Sequence, residues 1–236
     1  MRPSRIHRMS VGSFSVLALA AGLSLAAAPA QAATRSKPCR PKGSVTVAKS
    51  DGVRVYLLPA LNDAGKEVAG KYFACRYSTN KAYVLAEYSR GSHGGAPGGP
   101  NGDLVNIVRI SGTWVAAGLR HVQEDLCCSG ALIRRIDLAT GATQDVCVRV
   151  TECSRTKRDN EVTDLDLMPG GQLAWIDRYI DIDTNGKPLT YIVGRFDSRG
   201  ATLLDSGADV DPRSVATSGS IVYWTRSGTP YSSDII

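Results

Sequence analysis

The sequence has few of the residues and none of the motifs on which many enzymes and metal sites depend. Its 236 residues include only three His and three Met. It contains no Gly-x-Ser-x-Gly, no His-Glu-x-x-His and no glycine-rich loop ending in Gly-Lys-Ser/Thr. These absences exclude the hydrolases, zinc proteases and nucleotidases that those motifs define. Because no Cys-x-x-Cys pair occurs either, a cysteine-based zinc site is not expected.

Helical periodicity and long apolar runs are also missing, except at the amino-terminal end. Residues 1–10 are basic, residues 11–30 are uncharged, and a small-x-small sequence, Ala-Gln-Ala, follows. This order is typical of a secretory signal peptide over residues 1–32. No later segment is long and apolar enough to span a bilayer. We therefore expect a mature chain, 33–236, that has no membrane span and is secreted, either extracellular or cell-wall associated.

Removal of the leader changes the meaning of the net charge. The formal charge is +6, but the mature chain has 25 basic and 22 acidic side chains, a balance of +3 that argues against a nucleic-acid partner. The charge is divided unevenly, at +9 over residues 33–158 and −6 over residues 159–236. The two halves should attract each other, within one molecule or by head-to-tail self-association.

The strongest positive signal is a repeated spacing of turns. Four turn glycines, each followed by a run rich in Val, Ile, Tyr or Trp, are 60, 59 and 48 residues apart: Gly52, Gly112, Gly171 and Gly219. Short β-rich runs bounded by Gly, Asn or Asp predict strands and hairpins. We interpret the chain as all-β, with four-stranded antiparallel meanders at about 44–90, 103–150 and 161–207 and a final hairpin at 213–226.

This arrangement resembles a β-propeller, whose blades are four-stranded meanders stacked face to face, although no family signature motif is present. About three and a half blades are too few for an ordinary ring. The resemblance leaves open a small ring whose last blade borrows the N-terminal segment, an open stack of sheets, or two chains that complete one ring. An ordinary β-sandwich is the competing architecture.

The predicted meander places all short turns at one edge of the sheets and all long connections at the other. Loops on a rigid scaffold commonly carry binding groups, so we expect function on the long-loop side. Among its residues, His121, Glu124 and Asp125 could form an acid–base group. The glycine-rich run from Gly91 to Gly102 is interpreted as a flexible connector between the first two units.

All six cysteines follow the leader, and an exported chain with an even number should form three disulfides. We expect Cys39 to pair with Cys75. The remaining four should form two bridges that hold the long loops of the middle unit: Cys127, Cys128, Cys147 and Cys153.

One acidic segment suggests calcium. Asp181, Asp183 and Asn185 precede Gly186 at the spacing of a calcium loop, and Lys187 would add its backbone carbonyl. Further acids could come from a nearby loop that contains Asp205, Asp209 and Asp211. Counted from Asp181, the twelfth position, where an EF-hand calcium loop has a Glu ligand, is Ile192. The alternative is an ordinary Asn-Gly turn.

The sequence thus favours a secreted, non-catalytic scaffold that binds a protein or an extracellular polymer through its long-loop side. One alternative is a propeller-type hydrolase or lyase acting on an extracellular polymer. A second alternative is a structural module stabilised by calcium.

Overall fold

The computed structural model describes residues 39–93, 96–122, 129–148, 158–181 and 190–235. Within these ranges the regular structure is all β, and Ser36–Ile236 forms one compact unit. The described ranges contain fifteen strands: β1 Val45–Lys49, β2 Val53–Leu61, β3 Glu67–Arg76, β4 Lys81–His93, β5 Ala96–Ser111, β6 Trp114–Val122, β7 Ser129–Asp137, β8 Thr143–Cys147, β9 Arg158–Leu167, β10 Leu173–Asp181, β11 Thr190–Asp197, β12 Gly200–Gly207, β13 Ala216–Ser218, β14 Ile221–Arg226 and β15 Thr229–Asp234.

The strands form antiparallel meanders in chain order. Each strand pairs with the next from β1 to β8, from β9 to β12 and from β13 to β15. The first two groups are joined by one parallel residue pair, Ser129 opposite Asp159. The sheets therefore contain eight, four and three strands. In the described ranges no sheet closes on itself, since β1 pairs only with β2 and β15 only with β14.

Apolar clusters divide the strands into four packed layers, here called layer one (β1–β4), layer two (β5–β8), layer three (β9–β12) and layer four (β13–β15). One cluster between layers one and two contains Val55, Leu85 and Ile136. A second contains Ile133 and Trp175 and joins layers two and three. The third, between layers three and four, contains Ile176, Val193 and Trp224.

Strand alternation allows one layer to fill two interfaces. Val115 and Ala117 on β6 face layer one, whereas Ala116 between them faces layer three. Because successive side chains of a strand point to opposite faces, both faces of layers two and three are buried. The fold is thus a series of antiparallel sheets packed face to face.

The glycine-rich segment is not the flexible connector that the sequence suggested. Most of it belongs to β4 and β5, which pair from Tyr88 opposite Gly102 to His93 opposite Ala96. That prediction is wrong because glycine, with no side chain, can adopt the extended backbone of a paired ribbon. At Gly102 the two strands diverge into separate layers. Its φ is +117°, and an added Cβ would lie 2.6 Å from the Glu87 carbonyl oxygen.

The last layer has one strand more than the hairpin predicted at 213–226. Ser227 and Gly228 turn the chain with φ angles of 48° and 77°, and β15 then pairs with β14. Strand β15 could not be predicted from the sequence, because Thr229–Asp234 is mostly polar and lacks the apolar alternation that marks a half-buried strand.

The predicted pairing of Cys39 with Cys75 is confirmed. Both cysteines are buried on the outer face of layer one, beside Tyr56, which stacks on Phe73. Cys147 is also disulfide-bonded. Cys127, Cys128 and Cys153 lie outside the described residues, so the pairing of those four cysteines stays a prediction.

Candidate functional site

Two cavities open where the longer connections between strands lie, here called the long-loop edge. This edge contains the ends of β2, β4, β6 and β10, whereas the opposite edge holds the turns after β1, β5 and β13. The first cavity lies between layers one and two. The second lies where layers two and three meet the segment before β13.

The first cavity has a volume of about 460 Å³. Strands β2 to β6 contribute its walls: Leu58, Ala60, Ala69, Gly70, Lys71, Glu87, Tyr88, Ser89, Asn101, Gly102, Asp103 and His121. Gly70 makes room for the Tyr88 ring, since an added Cβ would lie 2.7 Å from it. The wall is therefore built by a close fit between neighbouring strands of layer one.

His121 and Asp103 form the most defined polar pair of the first cavity. They lie opposite each other on β6 and β5, and His121 Nδ1 is 2.8 Å from Asp103 Oδ1. Each side chain is 21% exposed. Arg134 Nη1 lies 3.9 Å from the other Asp103 oxygen, while the same guanidinium binds Asp145 at 2.6 and 2.7 Å. The carboxylate fixes one imidazole nitrogen and leaves Nε2 for a further partner.

His121 was among the residues predicted from the sequence, but Asp103 was not. Its suggested partners, Glu124 and Asp125, lie outside the described residues. A regular hairpin counted from Ser111 opposite Trp114 would set Leu104 opposite His121. A β-bulge between Val105 and Ile107 shifts the register by one residue, and this brings Asp103 into place.

The remaining charges around the first cavity are paired. Lys71 Nζ lies 2.7 Å from Glu87 Oε2. Tyr88 donates its hydroxyl hydrogen to Glu67 at 2.5 Å, and Arg90 lies 3.5 Å from the same carboxylate. Burial, followed by the hydrogen bond to Glu67, raises the pKa of Tyr88 well above its usual range. Tyr88 therefore stays protonated and acts as a donor.

The second cavity is larger, about 610 Å³, and more polar. It contains three arginines and two acids among its lining residues: Asn106, Ile107, Arg109, Glu161, Val162, Thr163, Asp164, Arg178, Tyr191, Pro212 and Arg213. Arg178 forms an ion pair with Glu161 at 2.7 Å, and Arg109 approaches Asp164 at 3.4 Å. Arg213 is exposed at the rim.

Asp164 links three layers from within this wall. One oxygen accepts a hydrogen bond from the Leu165 N–H and the other from the Val215 N–H, both at 3.0 Å. Burial raises the pKa of Asp164, and these hydrogen bonds together with Arg109 only partly oppose it. The carboxylate thus serves mainly to hold the segment before β13 against β9.

The predicted calcium ligands cannot be placed as a group. Asp181 ends β10, while Asp183, Asn185 and Lys187 lie outside the described residues, so calcium stays a prediction. In the ranges that the structure covers, no group of three or more His, Cys, Asp or Glu could hold a metal. The acids suggested as additional ligands have other partners there. Asp205 and Asp209 bind Arg226 at 3.0 and 2.9 Å, and Asp211 accepts the Arg213 N–H.

No protein-family model matches the chain, and no curated protein matches it. A search of the described residues for membrane-spanning helices found none that is long and apolar enough.

Proposed function

We propose that this chain is a secreted, non-catalytic β-repeat scaffold that binds a protein or an extracellular polymer through its long-loop edge. The observation that carries the proposal is the position of the two cavities, both at this edge and both at junctions between layers. Their walls come from several strands that are hydrogen-bonded to one another. A cavity with such walls is already formed before a ligand arrives, as most ligand sites are. The Cys39–Cys75 disulfide and the leader-like segment at 1–32 are compatible with export.

We further propose that the layers are arranged as blades of a propeller. The first strands of successive layers contact each other, β1 with β5, β5 with β9 and β9 with β13. Innermost strands of propeller blades have this relation around a central axis. A crystal structure that sets layer four against the outer face of layer one would establish a ring, and a straight stack in solution scattering would contradict one.

The binding function is tested with the oxidised mature protein on arrays of extracellular polymers and surface proteins. Lys71→Glu and Arg213→Glu reverse one charge in each cavity, and Lys81→Glu makes the same change at the opposite edge. We expect capture of a specific ligand that at least one cavity variant weakens and Lys81→Glu does not. No specific ligand, or equal effects of all three changes, would contradict the proposal.

The His121–Asp103 pair supports a second candidate, a hydrolase or lyase acting on an extracellular polymer. A carboxylate that holds an imidazole in one orientation is the arrangement of a general base. Turnover on polysaccharide and ester panels should then disappear in His121→Ala and fall by about 10²-fold or more in Asp103→Asn. Turnover that survives His121→Ala would exclude this function.

The calcium-stabilised module stays a third proposal. Its test is the thermal melt of the mature protein in chelator and across a calcium titration, because a ligand bound to the native state raises Tm. An upward shift that Asp181→Asn/Asp183→Asn abolishes would support it. A melt that calcium leaves unchanged would reject it.

A further inference from the structure

We propose that the second cavity binds an oxyanion, the carboxylate, phosphate or sulfate group of a larger ligand, between Arg109 and Arg213. The inference deepens the scaffold function proposed above by naming the chemical class of its ligand. It depends on the charge balance of the cavity, on the hydrogen-bond donors left in its wall and on its size.

The charge balance of the described wall is positive. Glu161 and Arg178 cancel each other in an ion pair of 2.7 Å. Asp164 is opposed by Arg109, although only at 3.4 Å. Arg213 has no acidic side chain within ion-pair distance among the described residues, and its only hydrogen bond there is from its backbone N–H to Asp211. One positive charge therefore stays uncompensated at the mouth of the cavity.

The donors in the wall also exceed the acceptors. Both Asp164 oxygens already accept backbone N–H groups, and the contact between Arg109 and Asp164 is long, at 3.4 Å. Arg109 makes one further bond, to the Val108 carbonyl at 3.2 Å. A guanidinium carries several N–H donors in a planar fork, and most of those on Arg109 and Arg213 lack an acceptor in the described wall. A ligand that supplies paired oxygens would meet this need.

Neutral and cationic ligands fit this wall less well. Thr163 donates its hydroxyl hydrogen to the Ile176 carbonyl at 3.2 Å, and Asn106 donates to the Val162 carbonyl at 2.6 Å. These bonds hold both side chains in place, and the Asp164 and Glu161 carboxylates beside them already have partners in the protein. A volume of about 610 Å³ is several times what one oxyanion needs, which leaves room for the rest of the ligand.

Binding should be measured by calorimetry on the mature protein, with inorganic phosphate, sulfate and citrate at constant ionic strength. We expect saturable binding of at least one of them. Arg213→Gln should weaken it at least about fivefold, and Arg213→Lys should weaken it less because the charge is kept and only the fork is lost. The matched control is Lys81→Gln, which removes one positive charge from the opposite edge and should leave affinity within about twofold.

Two results would overturn the inference: no saturable binding of any of the three anions, or equal weakening by Arg213→Gln and Lys81→Gln, which indicates general screening. Arg213 is exposed, so its variants should keep the wild-type melting temperature, which confirms that folding is unaffected. An array ligand whose binding ignores Arg213→Gln would reject the oxyanion site and keep the scaffold function. Phosphate binding that depends on Arg213, without any array ligand, would keep the site and reject the scaffold.

Discussion

Single polar side chains stabilise the turns of this fold, and Asp137 is the best-defined case. It accepts hydrogen bonds from the Ala139 N–H and from the hydroxyls of Thr113 and Thr140, at 2.9, 3.0 and 3.0 Å. Burial by itself raises the pKa of Asp137. These hydrogen bonds and the positive charge of Arg76 outweigh burial, so its pKa lies below the ordinary value.

We expect Asp137→Ala to lower the free energy of unfolding by about 1–2 kcal/mol at neutral pH, because three hydrogen bonds are lost. A carboxyl group whose pKa is lower in the folded protein than in the unfolded chain stabilises the folded protein. This stabilisation is complete at pH values above the unfolded pKa of about 3.9, and it is lost as the pH falls through the folded pKa. Urea unfolding of both proteins should therefore show a difference that shrinks as the pH falls below the ordinary carboxyl pKa of about 3.9.

The matched control for this change is Asp51→Ala. Asp51 is exposed in the turn between β1 and β2 and has no hydrogen bond in the described residues. Its replacement should cost less than about 0.5 kcal/mol. If Asp51→Ala and Asp137→Ala have equal effects at all pH values, the role given to the Asp137 hydrogen bonds is wrong.

At the scale of strands, turn length decides which face each side chain occupies. The turns after β5 and β13 hold two residues, since Ser111 pairs with Trp114 and Ser218 with Ile221. The turns after β1 and β9 are longer. Residues at the same distance after a turn glycine therefore face different sides of their layers. Trp175 and Tyr223, each four residues after such a glycine, are an example. Trp175 is buried between layers two and three, whereas Tyr223 is 38% exposed.

The divergence of β4 and β5 at Gly102 leads to a second prediction. Ala at this position would keep a positive φ, and its Cβ would meet backbone atoms that cannot move aside. We expect Gly102→Ala to reduce the free energy of unfolding by about 2–3 kcal/mol. In Gly65→Ala, the control, φ is also positive but nothing lies within 4 Å of the new Cβ, so the loss should be about 1 kcal/mol. Equal losses in urea titrations would show that the close approach has no energetic effect.

The sequence predicted strands and tight turns well, since β-rich runs between turn glycines depend on local propensity. It failed where the outcome depends on distant partners. The β-bulge that places Asp103 beside His121 could not be predicted, because neither β5 nor β6 has a regular alternation of apolar and polar residues that would fix the register. The arginine cavity was missed because Arg109 and Arg213 are about a hundred residues apart and meet only after the layers pack.

At the scale of the whole molecule, the charge asymmetry follows the layers. The basic part of the sequence, 33–158, contains layers one and two, and the acidic part, 159–236, contains layers three and four. Arg109 and Asp164 bring the two parts together across the middle interface. Some of the predicted attraction is thus satisfied within one molecule. Head-to-tail self-association stays a prediction.

The Cys39–Cys75 disulfide should stabilise the whole unit, because it joins the first described residue to β3 across 36 positions. In the chain-entropy view, closing a loop of this length contributes about 2–4 kcal/mol. We expect the double variant Cys39→Ser/Cys75→Ser to melt several degrees lower than the wild type in calorimetry. An unchanged melting temperature would mean that burial of the N-terminal segment alone holds it in place.

Burial of both faces of the two inner layers has a consequence for how such a chain can change in length. An additional inner layer would have two apolar faces, and each would pack against an apolar face of a neighbouring layer. Gain or loss of a whole inner repeat therefore leaves no apolar face exposed. A cut after layer three would instead expose Ile176 and Val193 to water. Shortening from the carboxyl end should therefore produce aggregation, whereas deletion of one complete inner repeat is the change that the architecture tolerates best.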